Sequence, residues 1–185
     1  LEDFFAEAKS VFGEIDFLVH SVAYAEKADL AGAFVDTSRK GFITALEVSA
    51  FSLVAMTKFA MPMLKNTASI MTMTYNGSQR VMPNYNVMGV AKAALESSVR
   101  YLANDLGPKG IRVNSVSPGP LRTLSSSGIS GFKTILGHVE AGAPLKRNIS
   151  AEEVAKTCVF LASDASSGIT GQNIFVDAGH QIMGL

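Results

Sequence analysis

A chain of 185 residues, 48% of them hydrophobic, can bury a sizeable core, and one domain is the default at this length. Sixteen basic residues balance sixteen acidic ones and the pI is near 7.0, which excludes the electrostatic footprint of a nucleic-acid or membrane-surface partner. A single cysteine, Cys158, excludes a disulfide framework and fits a cytoplasmic protein; its apolar neighbours mark it as a buried, inert thiol. Apolar stretches read as too short to span a membrane, and the amphipathic opening Leu1-Glu2-Asp3-Phe4-Phe5 is unlike a signal peptide. The chain opens on Leu and not Met, so it reads as a piece of a longer protein.

Residues 3–12 have the spacing of a helix end stopped by Gly13. Ile15-Asp16-Phe17-Leu18-Val19-His20 is an apolar run of the buried-strand type. Residues 24–37 read as an irregular loop. Thr37 or Ser38 then caps a long helix over 39–64, with Pro62 disturbing its last turn. A second strand is expected at 68–74. Asn84 or Asn86 is the expected cap of a helix running to Leu106 and ended by Gly107-Pro108. Residues 111–116 form a third strand, followed by the turn Ser117-Pro118-Gly119-Pro120. Helices are expected at 132–140 and, capped by Ser150, at 151–161, and the last strand at 173–177. Such alternation gives a parallel sheet covered by helices on both faces. Its carboxyl edge gathers His20, Ser21, Thr74, Tyr75 and Ser117-Pro118-Gly119 into one crevice.

Tyr85 is followed seven residues later by Lys92, and Tyr75 lies ten residues upstream. On a helix, residues seven apart lie about two turns apart on one face. A phenol and an ammonium so placed can act on one ligand, and the cation is expected to lower the phenol pKa. His20 is expected as a strand-end residue satisfied by backbone. His138 and His180 show no pairing, and no His/Cys/Asp cluster has metal-ligand spacing, so no metal is expected.

These words together resemble the enoyl-acyl-carrier-protein reductases of bacterial fatty-acid synthesis, a divergent branch of the short-chain dehydrogenase/reductases. The resemblance runs from the helix before Ile15 to Gly179. It rests on His20-Ser21-Val22-Ala23, Tyr75-Asn76-Gly77, Asn84 to Lys92, Ile111-Arg112-Val113-Asn114, Gly119-Pro120-Leu121-Arg122-Thr123-Leu124 and Val176-Asp177-Ala178-Gly179. Ordinary ketoreductases carry Tyr-x3-Lys and a serine seventeen residues before the lysine. Those positions are Met88 and Tyr75 here, so the ketoreductase arrangement is absent.

The resemblance implies a Rossmann-like doubly wound parallel sheet, present as the C-terminal two-thirds, with residues 1–185 forming one domain. It implies reduction of the trans-2 double bond of enoyl-acyl-carrier-protein thioesters, the last step of the elongation cycle. Tyr85 would hold the thioester carbonyl, Tyr75 would line the pocket and orient a proton, and Lys92 would bond the nicotinamide ribose. Ser21, Val22, Leu121, Arg122, Thr123, Leu124 and Ser125 would contact the cofactor, and Ala25, Tyr75 and Tyr85 the substrate. The family leans to NADH; the region that discriminates NADPH is not in this sequence, so NADPH stays open. Expected partners are the acyl carrier protein, met by Lys133 with Lys146 and Arg147 beyond it, and further copies of the chain in a homotetramer. The small residues Ala91, Ala93, Ala94 and Ser97 would permit close helix packing between subunits.

One family feature has no counterpart here, the glycine-rich turn after the first strand that cradles a pyrophosphate. The strand at 15–20 is therefore expected to have one open edge, and the 185-residue piece to lack activity alone. The alternatives are a non-catalytic fragment that keeps only the oligomerisation surface, or another short-chain reductase.

Overall fold

The computed structural model describes residues 1–123 and 131–184. Strands β1 (Ile15–His20), β2 (Leu64–Met73), β3 (Arg112–Pro118) and β4 (Asn173–Val176) form one parallel sheet in that spatial order. Helix α1 (Glu2–Phe12) precedes β1. Helices α2 (Arg39–Leu46) and α3 (Ser52–Ala60) cross to β2, α4 (Asn86–Leu106) to β3, and α5 (Phe132–Gly142) and α6 (Ala151–Ala162) to β4.

Successive residues of a strand point to opposite faces, and β2 shows both. Ile70 and its β3 partner Val113 pack with Leu53 of α3 and Leu95 and Val99 of α4. Met71 faces the other way and packs with Val116 under Val154 and Leu161 of α6. Helices thus cover both faces, the Rossmann-like α/β arrangement expected. Each fully buried Leu or Ile contributes roughly 1.5–3 kcal/mol.

The helix expected over 39–64 is shorter and not uniform. Residues Glu47–Phe51 form a π turn between α2 and α3, and α3 ends at Ala60. Met61 still has helical angles (φ −46°, ψ −41°), but Pro62 has no N–H to continue the ladder. Strand β2 then begins at Leu64, four residues before the expected start, because Leu64 pairs with Ile15. Of the two candidate caps, Ser38 serves: its Oγ accepts from Gly41 N at 2.9 Å. The expectation that every apolar stretch is short also needs correction. Arg39–Ala60 is a 22-residue helical run with a mean hydropathy of 1.4, enough by length and composition to cross a membrane. Here Ala45, Ala50, Leu53 and Ala60 turn it into a core-facing helix.

β1 is not fully buried. Among the described residues it pairs only with β2, and Phe17 and Val19 stay 51% and 40% exposed. Residues 24–37 hold two short 3-10 turns, with buried Asp29 accepting from Ser38 N and Oγ. α6 starts in a capping box between Ser150 and Glu153. Cys158 on α6 is half-buried, and that burial pushes its thiol pKa up, as suits an inert thiol.

Candidate active site

The carboxyl ends of β1 and β2 and the first turns of α4 build one crevice. β2 ends at Met73, and Lys92 on α4 donates from Nζ to the Met73 carbonyl at 2.7 Å. Thr74 and Tyr75 follow. Tyr75 is extended (φ −156°, ψ 148°), so its ring points opposite to the buried Thr74 side chain. The ring meets that of Tyr85 edge to face, with centroids 5.1 Å apart and planes at 70°.

Tyr85 stands just before α4, not within it. It is the N-cap residue, without a side-chain cap bond, and the expected Asn84 or Asn86 cap is not formed. Both asparagines are in the left-handed region (φ 59° and 25°), which Asn tolerates better than most residues. Asn86 Nδ2 instead donates to the Gly32 carbonyl. This irregular entry swings the Tyr85 ring onto the turn Asn76–Ser78. A methyl group on Gly77 would come within 2.5 Å of the Tyr85 ring. Tyr85 also packs against the cluster of Ala45, Val87, Met88 and Ala91, which includes Ala25. The structure therefore brings Tyr75, Tyr85 and Ala25 together, with Lys92 bonded to the strand end two residues before Tyr75.

Electrostatics correct one expectation. Burial, followed by the neighbouring Tyr75, raises the Tyr85 pKa well above the ordinary phenol value. Burial raises Tyr75 as well. Burial, and not Lys92, governs both phenols. Tyr85 is thus a permanent O–H donor. Lys92 is brought down to about 8 by its own burial, against a raising influence from Glu96.

His20 differs from expectation too. Its ring is satisfied by two side-chain hydroxyls: Nδ1 lies 2.8 Å from Thr72 Oγ1, and Nε2 lies 2.8 Å from Ser52 Oγ. Burial first, and then Lys92, lower its pKa to about 4. Ser52 follows the π turn and donates onward to the Val48 carbonyl. Ser49, inside that turn, bonds both the N–H and the carbonyl of Tyr24. The π turn therefore fixes both ends of the segment holding Ser21 and Val22, which stand exposed at the sheet edge.

Leu121 is half-buried against the Met71–Val116 cluster, and Arg122 and Thr123 are exposed. Leu124 and Ser125 lie outside the described residues. Among the described residues no group of His, Cys, Asp and Glu could hold a metal. One functional candidate escaped the sequence. Glu96, one turn beyond Lys92 on α4, is buried and accepts from Thr74 Oγ1 (2.7 Å), Ser78 Oγ, Asn173 Nδ2 (3.3 Å) and Gln79 Nε2 (3.4 Å). The only hint of it is its spacing of four from Lys92, which most exposed helix charges share.

The family model for enoyl-(acyl carrier protein) reductase matches residues 1–181. Enoyl-(acyl-carrier-protein) reductase (NADH) FabI of Nostoc sp. is 51% identical over 185 residues, covering 100% of this chain and 72% of that protein. The chain belongs to the enoyl-acyl-carrier-protein reductase family.

A second enoyl reductase relative, from Bacillus subtilis, is 52% identical over 182 residues, 98% of this chain and 70% of its own. Among solved structures, the Bacillus cereus enoyl-acyl carrier protein reductase with NADP+ and indole naphthyridinone superposes with a TM-score of 0.97. It is 52% identical and is matched over 100% of this chain and 72% of its own. The Anaplasma phagocytophilum enoyl reductase in complex with NAD gives 0.95 at 44% identity, over 100% and 70%. The absence of a ketoreductase site is visible in the packing. Met88, where Tyr-x3-Lys would need its tyrosine, is buried in an apolar cluster with Ala45, Val87 and Ala91.

Proposed function

We propose that this crevice reduces the double bond of an enoyl thioester carried on acyl carrier protein, with NADH as the preferred reductant. The observation that carries the reading is the packed pair Tyr75–Tyr85 beside a buried Lys92. Lys92 spends one of its three protons on the Met73 carbonyl, which leaves donor capacity suited to ribose hydroxyls. Ser117, at the end of β3, adds a buried hydroxyl without a partner among the described residues. Both fit the hydroxyl-rich nicotinamide half of a dinucleotide.

When bound, reduced nicotinamide supplies a hydride to the β-carbon of the enoyl group. Negative charge then gathers on the thioester oxygen, and a proton taken up from solvent at the α-carbon completes the reduction. Tyr85, held protonated by burial, donates its O–H there, as a donor of an oxyanion hole does. Tyr75 keeps the Tyr85 ring in place from its edge. Lys92 holds positive charge in the crevice and orients the ribose. Ala25 borders the acyl side of the Tyr85 ring. Ser21 and Val22, with 121–125, would flank the cofactor.

We also assign the chain to the cytoplasm and to a homotetramer. A shallow groove of about 410 Å³ along α4, lined by Val54, Ala94, Ser97, Ser98 and Leu102, supports the assembly. Ala93 is exposed and suits the same role. Ala91 does not: it is fully buried in the chain's own core.

The test is loss of nicotinamide absorbance with a short enoyl thioester, in the protein at the full length of its relatives and in its Tyr85→Phe and Lys92→Ala variants. Enoyl-dependent oxidation of NADH, strongly reduced in both variants, is expected. Consumption of a ketone substrate instead, or full activity in both variants, would overturn the reading.

A further inference from the structure

Glu96 is a buried carboxylate on a helix face, and four donors converge on it from three separate elements. Thr74 comes from the exit of β2, Ser78 and Gln79 from the turn after Tyr75, and Asn173 from β4. Asn173 is itself held by Ser115 Oγ of β3 at 3.2 Å. Three of the donors, Thr74, Ser78 and Asn173, meet on Oε1, and Gln79 reaches Oε2 at 3.4 Å.

Two of the tethers end beside residues of the candidate site. Pinning the Thr74 side chain downward directs Tyr75, its extended neighbour, up into the crevice. Pinning Ser78 fixes the turn whose Gly77 lies against the Tyr85 ring. Lys92 is one helical turn away on the same face, within reach of the carboxylate's field. We propose that Glu96 is the positioning residue of this site, a single buried carboxylate one helical turn from Lys92 that sets the stance of Tyr75 and Tyr85. The proposal rests on the reading of the crevice as an enoyl reductase site only in its turnover arm.

The other titratable groups around Lys92 are His20 from β1 and the phenols of Tyr75 and Tyr85. His20 is neutral down to about pH 4, and both phenols are raised. None of them changes charge between about pH 6 and 9. A shift in Lys92 titration after substitution of Glu96 therefore reports Glu96.

The experiment compares Glu96→Gln with Thr74→Val. The first removes the charge; the second keeps it and cuts one tether. Lys92 is followed by NMR of its labelled ε-carbon across pH, and reduced-cofactor binding by fluorescence. In Glu96→Gln the Lys92 midpoint and the alkaline limb of cofactor binding should both move down by roughly one pH unit. In Thr74→Val neither should move, while kcat with a short enoyl thioester falls about tenfold with little change in KM. Unmoved titration in a folded Glu96→Gln protein, or unchanged kcat in Thr74→Val, overturns the proposal. If the unaltered protein at the full length of its relatives does not reduce enoyl thioesters, the functional reading fails, and the NMR comparison still decides the role of Glu96.

Discussion

Gly89 on α4 lies directly against the carbonyl of Gly77: a methyl group on Gly89 would come 2.7 Å from that oxygen. Two glycines therefore set the distance between α4 and the turn that follows Tyr75. Gly89→Ala should raise helix propensity by about 1 kcal/mol and still harm the site, because the turn must retreat and carry Tyr75 with it. A fall in turnover of roughly tenfold with unchanged far-UV circular dichroism is expected. Val90→Ala, at the exposed neighbouring position, is the control and should leave turnover alone.

Tyr85→Phe removes one hydroxyl and keeps the ring that packs on Gly77. The fold should survive and turnover should drop by roughly 10–10³-fold, the cost of one donor lost at a developing oxyanion. Because burial keeps this phenol protonated well beyond its ordinary range, no activity limb belonging to Tyr85 should appear below about pH 10. Steady-state rates over pH in both proteins check this.

Two buried bases make stability depend on pH with the same sign. An unfolded chain takes up a proton on histidine near 6.5, while folded His20 does so only near 4. Between those values the unfolded state binds more protons, so stability is lost as pH falls. Lys92 repeats the argument between 10.5 and about 8: the folded state releases its proton first, and stability rises with pH through that window. Each contributes on the order of 3 kcal/mol at most. Denaturant midpoints should therefore climb from pH 4 to 6.5 and again above 8. His20→Gln should flatten the first rise and Lys92→Met the second.

Lys133 projects exposed from α5, whereas Lys146 bonds the Ala141 carbonyl and Arg147 forks onto Glu153. An acidic carrier protein docking here would meet Lys133 first. One exposed charge pair contributes about 0–1 kcal/mol. Lys133→Glu should therefore raise KM several-fold for carrier-bound substrate, in a salt-sensitive way, and leave coenzyme A thioesters almost unchanged. An equal effect on both substrates would place Lys133 in the substrate pocket instead.

The strands and most helices could be read from the chain because their signals are local. Ser150 and Glu153 stand three residues apart and form the capping box that their identities suggest, and the 15–20 and 111–116 runs are strands within two residues of expectation. What stayed hidden depends on distant partners. Strand β2 starts early because Leu64 finds Ile15. His20 looks like a strand end until Ser52 and Thr72, 32 and 52 residues away, close on it. Glu96 looks like a solvated helix charge until Asn173 arrives, 77 residues later. The lowered phenol expected of Tyr85 failed for a related reason, since spacing gives proximity to a cation but not the loss of water around a ring.

The π turn at Glu47–Phe51 carries one residue more than an α turn would. The surplus is taken up inside the turn, so α3 keeps the phase that buries Leu53, Thr57 and Ala60. A one-residue deletion there would heal into a plain α-helix and spare the packing beneath the sheet. Its cost would fall on the strand exit, because Ser49 and Ser52 would lose the spacing by which one holds Tyr24 and the other His20.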